Sequence, residues 1–355
     1  MYNDRSNGLA KKRRLNKGQQ RRVNQNQRKR LEQPNVDYDE KQLGQSEQGR
    51  VISRYGQHAD IMDDAGGVIR CHIRRAVASL VSGDRVIWRR VTSSTGGTQG
   101  VVEAVHERDS LLSRPDFYDG LKPVAANIDQ ILVISSVLPA FSSQIIDRYI
   151  VACEDIGIEP IIVLNKIDLL VTLPGEEQHS IEGCLAYYKQ LGYDVLRVSS
   201  ATEDGLTSMI KQLPEHVSIV VGQSGVGKSS LVNNIFPELE AATKQVSDNS
   251  GLGQHTTTVA TWYQLPQGGA LIDSPGIREF SLWHLEKERV AWGFKDFRDY
   301  LGGCKFRDCK HLNDPGCALQ EAVAANKVAS WRLENYHRII ESMNSQKPPR
   351  ATQRG

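Results

Sequence analysis

The amino-acid sequence predicts an α/β architecture in three parts: a small N-terminal β-barrel, a central domain with a largely parallel sheet, and a mostly helical C-terminal region built around a metal site. Three observations predict it. Short β-like runs separated by turn residues occupy the stretch from Gly49 to about Arg114. Densely apolar runs alternate with helical stretches from Asn127 to about Phe280, as a sheet covered on both faces requires. Three cysteines and a histidine then crowd into 14 residues near the C-terminus.

The first 33 residues carry eleven Lys/Arg against Asp4 and Glu32, a net of +9, so the rest of the chain holds −7 of the overall +2. This arm is rich in Asn and Gln and has too few apolar residues to bury a core of its own. Clustered cations of this kind neutralise phosphates and release counterions on nucleic acid, which points to an RNA or DNA partner rather than a purely solubilising tail. No apolar stretch follows it, so it does not read as a secretory signal. The longest apolar run, Ile131–Leu138, contains two serines and suits a buried strand, so no membrane partner is expected.

The barrel is read from Arg50–Tyr55, Val68–Ile73, Asp84–Trp88 and Gly100–His106, joined by Asp63–Gly67, Ser82-Gly83-Asp84 and Thr92–Thr98. Four or five strands in such a length suit an OB-type barrel, with an SH3-like barrel as the alternative. In the central part, Ile128–Val137, Glu159–Leu164, Asp194–Val198, Val217–Val221, Val259–Leu265 and Ala270–Ile272 read as strands. Ser143–Ile156, Ile181–Leu191 and Gly227–Phe236 read as helices, and Ala318–Met343 as one long amphipathic helix. Cys71, Cys153 and Cys184 lie in apolar surroundings and read as small core residues.

Gly222-Gln223-Ser224-Gly225-Val226-Gly227-Lys228-Ser229, followed by Ser230, is a phosphate loop between a strand and a helix. Its glycines let backbone N–H groups turn onto phosphates, Lys228 reaches the β- and γ-phosphates, and the Ser229 hydroxyl can hold Mg²⁺. Asn165-Lys166-Ile167-Asp168 decides the base. A carboxylate at Asp168 accepts two hydrogen bonds from the N1–H and N2–H₂ edge of guanine, whereas adenine leaves it unpaired. Asn165 can serve the other base edge and tie its loop to the phosphate loop. Ser199-Ser200-Ala201 matches the backbone that supports the guanine O6, and Asp273-Ser274-Pro275-Gly276 offers a carboxylate for Mg²⁺ through water and a Gly276 N–H for the γ-phosphate.

These segments come in an unusual order, base reader first, then the phosphate loop, the Thr-rich run His255-Thr256-Thr257-Thr258 and Asp273–Gly276. That order is a circular permutation of the P-loop GTPase fold. Either Thr257 or Thr258 can supply the switch hydroxyl to Mg²⁺. The position where Ras-type enzymes carry a water-orienting Gln is Ile277, so His255 is the candidate catalytic group beside Lys228, its alternative being a structural histidine of a loop. Slow intrinsic hydrolysis accelerated by a partner follows in either case.

Cys304-x₄-Cys309-x-His311-x₅-Cys317 supplies four soft ligands, enough for a closed structural Zn²⁺ site; a disulfide or redox role is the competing reading. The permuted order, the barrel before it and this cluster after it together resemble the RsgA (YjeQ) family of bacterial small-ribosomal-subunit biogenesis GTPases, over roughly Gly49 to Met343. The resemblance implies a cytoplasmic, monomeric GTPase that binds the 30S subunit, is activated by it and acts late in its maturation, with barrel and zinc region touching 16S rRNA. It also implies that His255 takes the place of the missing Gln. The expected division is a disordered basic arm over 1–45, an RNA-binding OB barrel over 46–115, the permuted GTPase domain over 116–280 and the zinc region with its C-terminal helix over 281–355. A GTP-dependent RNA-binding scaffold and a P-loop kinase are the alternatives weighed, the kinase disfavoured because Asn165–Asp168 reads guanine.

Overall fold

The computed structural model describes residues 40–77, 79–92, 98–116, 120–236, 260–273, 282 and 284–346. His255, Thr256, Thr257, Thr258, Ser274, Pro275, Gly276 and Ile277 lie outside the described residues, as does the arm up to residue 39.

After a short 3-10 turn at Glu40–Gln42, five strands close a barrel: β1 (Leu43–Tyr55), β2 (His58–Asp63), β3 (Val68–Ile73), β4 (Arg85–Val91) and β5 (Gly100–Val105), in the order β1-β2-β3-β5-β4. That order, with β3 and β5 parallel and the other registered pairs antiparallel, is an OB-type arrangement. Trp88 is fully buried at its centre among Val51, Ile61, Cys71 and Val102. Two glycines make room for the indole: a Cβ at Gly49 would stand 2.9 Å from Trp88 Nε1, and one at Gly100 would stand 2.9 Å from Trp88 Cε3 and 2.7 Å from Cys71 Sγ. The sequence pattern did not reveal β2, because its Asp60 is buried against the pleat rather than exposed. Arg70 makes a bidentate pair with it at 2.7 and 2.9 Å.

A two-stranded hairpin, β6 (Leu111–Asp116) and β7 (Gly120–Ala126), lies across the boundary placed at 115/116. The central sheet follows. Its strands are β8 (Gln130–Ser136), β9 (Glu159–Asn165), β10 (Asp194–Arg197), β11 (Val217–Gly222), β12 (Thr261–Gln264) and β13 (Ala270–Asp273), ordered β10-β9-β8-β11-β13-β12. All neighbours run parallel except β12, an antiparallel edge strand. Alternate residues of β8 face opposite layers, as the period of two demands: Ile131 and Val133 join one cluster, Leu132 and Ile134 another. Helices α1 (Ser143–Ile156), α2 (Gly175–Gln190), α3 (Leu206–Ile210) and α4 (Lys228–Ile235) lie between these strands in sequence. Cys71 and Cys153 are fully buried, and Cys184 is half-buried against a core cluster.

The C-terminal region comprises α5 (Lys287–Trp292), a 3-10 turn (Lys295–Tyr300), α6 (Ala318–Ala324) and α7 (Ser330–Gln346). The stretch 318–343, expected as one helix, is therefore two. Asn326 adopts a left-handed φ of 55°, its N–H bonds Val323 O at 3.0 Å and the Lys327 N–H bonds Ala322 O at 2.9 Å. This closing pattern satisfies the last carbonyls of α6 and turns the chain. None of the helices among the described residues is long and apolar enough to cross a membrane.

Phe294, Phe297, Leu333, Tyr336 and Ile339 belong to the same cluster as Ile131 and Tyr149, so the C-terminal helices share their core with one face of the central sheet. At this junction Arg332 of α7 is fully buried between Asp147 of α1, which it touches through Nη1, and Asp296, 2.8 Å from Nη2. Asp147 also accepts from Tyr188 Oη at 2.6 Å and Asn335 Nδ2 at 2.7 Å. Removing one member of such a network strands buried charge. Arg332→Ala is accordingly expected to cost about 3–5 kcal/mol of stability, read as a lowered urea midpoint; an unchanged midpoint would contradict the network's weight.

Candidate guanine-nucleotide and metal sites

Because five strands run parallel, the loops leaving β8, β9, β10, β11 and β13 gather at one edge of the sheet, where α/β folds place ligands. The phosphate loop leaves β11 and enters α4. Gly222, Gly225 and Gly227 have φ of 150°, 83° and 90°. A Cβ at Gly222 would stand 2.3 Å from Ile134 O, and one at Gly227 would stand 2.5 Å from Asn165 Nδ2, so both close approaches require glycine. Lys228 Nζ donates to Gly222 O at 2.6 Å and Gln223 O at 2.5 Å, which holds the ammonium over the loop.

The loop carrying Asn165–Asp168 is joined directly to this one. Fully buried Asn165 donates from Nδ2 to Val226 O at 2.9 Å and accepts the Ser200 N–H at 3.3 Å on Oδ1. Lys166, at a left-handed φ of 60°, reaches Leu138 O at 2.6 Å and Gly225 O at 2.7 Å. Asp168 Oδ1 accepts from Ser199 Oγ at 2.5 Å, and among the described residues its second oxygen has no hydrogen-bond partner. Ser199 Oγ in turn accepts the Ala201 and Thr202 N–H groups at 3.2 and 3.1 Å, which shapes the Ser199-Ser200-Ala201 turn.

Ser229 and Ser230 sit in the first turn of α4, and Asp273 ends β13 beside β11. Partial desolvation raises the pKa of the Asp273 carboxyl, opposed by the positive charge of Lys228. The structure thus brings together Asn165, Lys166, Ile167, Asp168, Ser199, Ser200, Ala201, the phosphate loop and Asp273. Residues 255–258 and Gly276 lie outside the described residues. Two contributors escaped the sequence reading. Leu138, just past β8, supplies the carbonyl that seats Lys166, and Asn234 of α4 donates to Ser200 O. The position of Leu138 after a central apolar strand was the available signal; Asn234 carried none.

The cysteine cluster forms a second site. His311 Nδ1 lies 3.5 Å from each of Cys304, Cys309 and Cys317 Sγ, and Cys304 and Cys317 Sγ are 4.0 Å apart. The four ligand atoms fall within 4.8 Å of one another. Edges of ~3.5–3.8 Å are what a tetrahedral ion with bonds of ~2.0–2.3 Å requires, so the donor set fits a four-coordinate metal. The loop is built for convergence: His311 takes a left-handed φ of 60°, its N–H points at Cys309 Sγ at 3.4 Å, and Gln320 Nε2 braces His311 O at 2.9 Å.

Comparison with known proteins agrees with this geometry. Residues 105–283 match the model of the family described as RsgA GTPase. The chain is 56% identical over 347 residues to Small ribosomal subunit biogenesis GTPase RsgA 1 of Vibrio parahaemolyticus, covering 96% of this chain and 97% of the relative. It is 58% identical over 310 residues to the protein named Small ribosomal subunit biogenesis GTPase RsgA in Shewanella oneidensis, covering 87% of each. Among solved structures it resembles YjeQ from Thermotoga maritima, with a TM-score of 0.66 and 29% identity over 85% of this chain and all of that one. It also resembles YloQ, described as a circularly permuted GTPase, with a TM-score of 0.64 and 27% identity over 88% of this chain and all of that one.

Proposed function

We infer the function from one premise: the chain belongs to the RsgA GTPase family. It is a GTP hydrolase of small ribosomal subunit biogenesis. The observation that carries this reading is the direct bond from Asn165 Nδ2 to Val226 O, which makes the base-reading and phosphate loops one pocket despite their swapped order.

In this pocket the free oxygen of Asp168 accepts from the guanine edge while Ser199 holds the other. The Ser199–Ala201 backbone faces O6, and the phosphate loop N–H groups and Lys228 take the phosphates. Ser229, Asp273 through water and the hydroxyl of Thr257 or Thr258 would hold Mg²⁺, and the Gly276 N–H would contact the γ-phosphate. Bound Mg²⁺ supplies charge neutralisation at the transferring phosphate. His255 orients the attacking water in the absence of a Gln at position 277. Cys304, Cys309, His311 and Cys317 would hold one structural Zn²⁺, a four-ligand donor set suited to a structural rather than a catalytic ion. The protein acts in the cytoplasm as a monomer on the 30S subunit, with 16S rRNA met by the barrel, the zinc region and the basic arm.

The deciding experiment is the GTPase rate with and without purified 30S subunits. A rise of at least about tenfold is expected, since Ile277 cannot position water and a partner must complete the site; an unchanged rate would leave only a nucleotide-dependent binding protein. Base choice has its own check. Asp168→Asn presents an amide donor to the guanine N2 amine, and is expected to weaken GTP about a hundredfold while admitting xanthosine triphosphate, whose C2 carbonyl accepts it. Competition binding with the two nucleotides reads this, and equal GTP affinity in the variant would remove Asp168 from the base site.

A further inference from the structure

β12 is a four-residue edge strand, paired among the described residues with β13 alone, so fewer backbone bonds fix its position than fix an inner strand. In this chain the brace comes from the barrel. Ser82, 2% exposed in the segment between β3 and β4, donates from Oγ to Ala260 O at 2.5 Å, the residue immediately before β12. Ser82 is itself anchored: its carbonyl accepts the Ala126 N–H of β7 at 3.0 Å. Gly83 follows at φ 88°, and a Cβ there would stand 2.2 Å from Ala126 O and 3.5 Å from Ile272 Cδ1 of β13. Arg50 of β1 donates to Gly83 O at 3.1 Å and lies over the Trp262 ring of β12 at 5.7 Å. The barrel therefore grips the β12–β13 pair at the end where Thr261 stands opposite Asp273.

We propose that Ser82 is a positioning residue for the Mg²⁺ site: its hydroxyl fixes the start of β12, β12 fixes the end of β13, and that end sets where the Asp273 carboxylate stands. The proposal rests on the reading of Asp273 as a Mg²⁺ contact. It makes the barrel a part of the metal-binding geometry of the GTPase domain, in addition to its proposed contact with RNA.

The test uses the full chain and a fluorescent GTP analogue, with the Mg²⁺ concentration that half-suppresses nucleotide release as the readout. Ser82→Ala is expected to raise that concentration about fivefold, the loss of one buried hydrogen bond of ~1 kcal/mol. Analogue affinity in EDTA should stay unchanged within twofold, and Ser82→Thr should restore the Mg²⁺ dependence. In an Asp273→Ala background, Ser82→Ala should add no further shift, because the two act through one contact. A lowered melting temperature with unchanged Mg²⁺ dependence, or an equal shift in the Asp273→Ala background, overturns the proposal. If Ser82→Ala fails to retain nucleotide, Ser82→Cys, a weaker donor, takes its place in the same comparison. Failure of the unaltered chain to bind guanine nucleotide would sink the functional reading itself, whereas nucleotide binding without a Ser82 effect sinks only this one.

Discussion

Lys228→Ala is expected to lower single-turnover GTP hydrolysis by about 10²–10³, the usual loss when a preorganised group aimed at developing phosphate charge is deleted. Preorganisation is visible in the structure. Lys228 Nζ is already held by Gly222 O and Gln223 O, so little side-chain freedom remains to be lost when phosphate arrives. Guanine recognition should survive in part, because Asn165 is held by the Val226 carbonyl and the Ser200 N–H, and Asp168 by Ser199. The expected signature is thus a rate deficit at saturating GTP that exceeds the deficit in GDP affinity. Hydrolysis within threefold of the unaltered chain, at saturating GTP, would remove Lys228 from the phosphate site.

Metal removal should have a comparably large effect on the C-terminal region. Between Gly302 and Cys317 every side chain other than Cys317 is half-buried or exposed, so the segment has almost no apolar core of its own. Structural zinc contributes on the order of 10–16 kcal/mol to such segments, and that binding energy is their folding energy. Chelation, or Cys309→Ala, is expected to release one equivalent of metal and abolish hydrogen-exchange protection across residues 302–317. The part of the central sheet packed in the clusters around Leu132 and Ile162, which contain none of the ligands, should keep its protection. A protein that holds no metal after purification in its presence, with protection unchanged by chelation, would leave the four residues as an ordinary cysteine-rich loop. Cys317 is the less informative choice for substitution, since it is buried in the shared core and its loss would disturb packing directly.

Most of the sheet was legible because its strands are short, densely apolar and bounded by turn residues, and the helix before the base-reading loop has a clear apolar face; the helix after it starts at Gly175, six residues earlier than expected, because its first turns are polar. The misses share a cause. β2 hid because Asp60 is buried by pairing with Arg70 some ten residues away, and the hairpin β6–β7 because its strands carry Ser113, Arg114, Pro115 and Lys122 rather than an alternating apolar pattern. The break in the C-terminal helix was marked by Asn326, a residue that tolerates a left-handed turn, but the amphipathic pattern on either side outweighed it. In the site, motif residues were identifiable one by one, while the carbonyls of Leu138 and Val226 that tie them together carry no side-chain signature.

The residues alone determined the chemistry of the pocket, since a glycine-rich turn, a lysine, a guanine-reading carboxylate and four soft ligands have these uses wherever they are assembled. Only the tertiary structure decided that they assemble. Asn165 and Val226 meet because β9 and β11 both border β8, and strand order depends on pairing between segments far apart in the chain, which no local periodicity encodes. The same holds for Arg332 between Asp147 and Asp296, and for Ser82 on Ala260. Each is a polar contact strengthened by the exclusion of water inside a shared core, which offsets the cost of desolvating its partners, and it exists only once that core has formed.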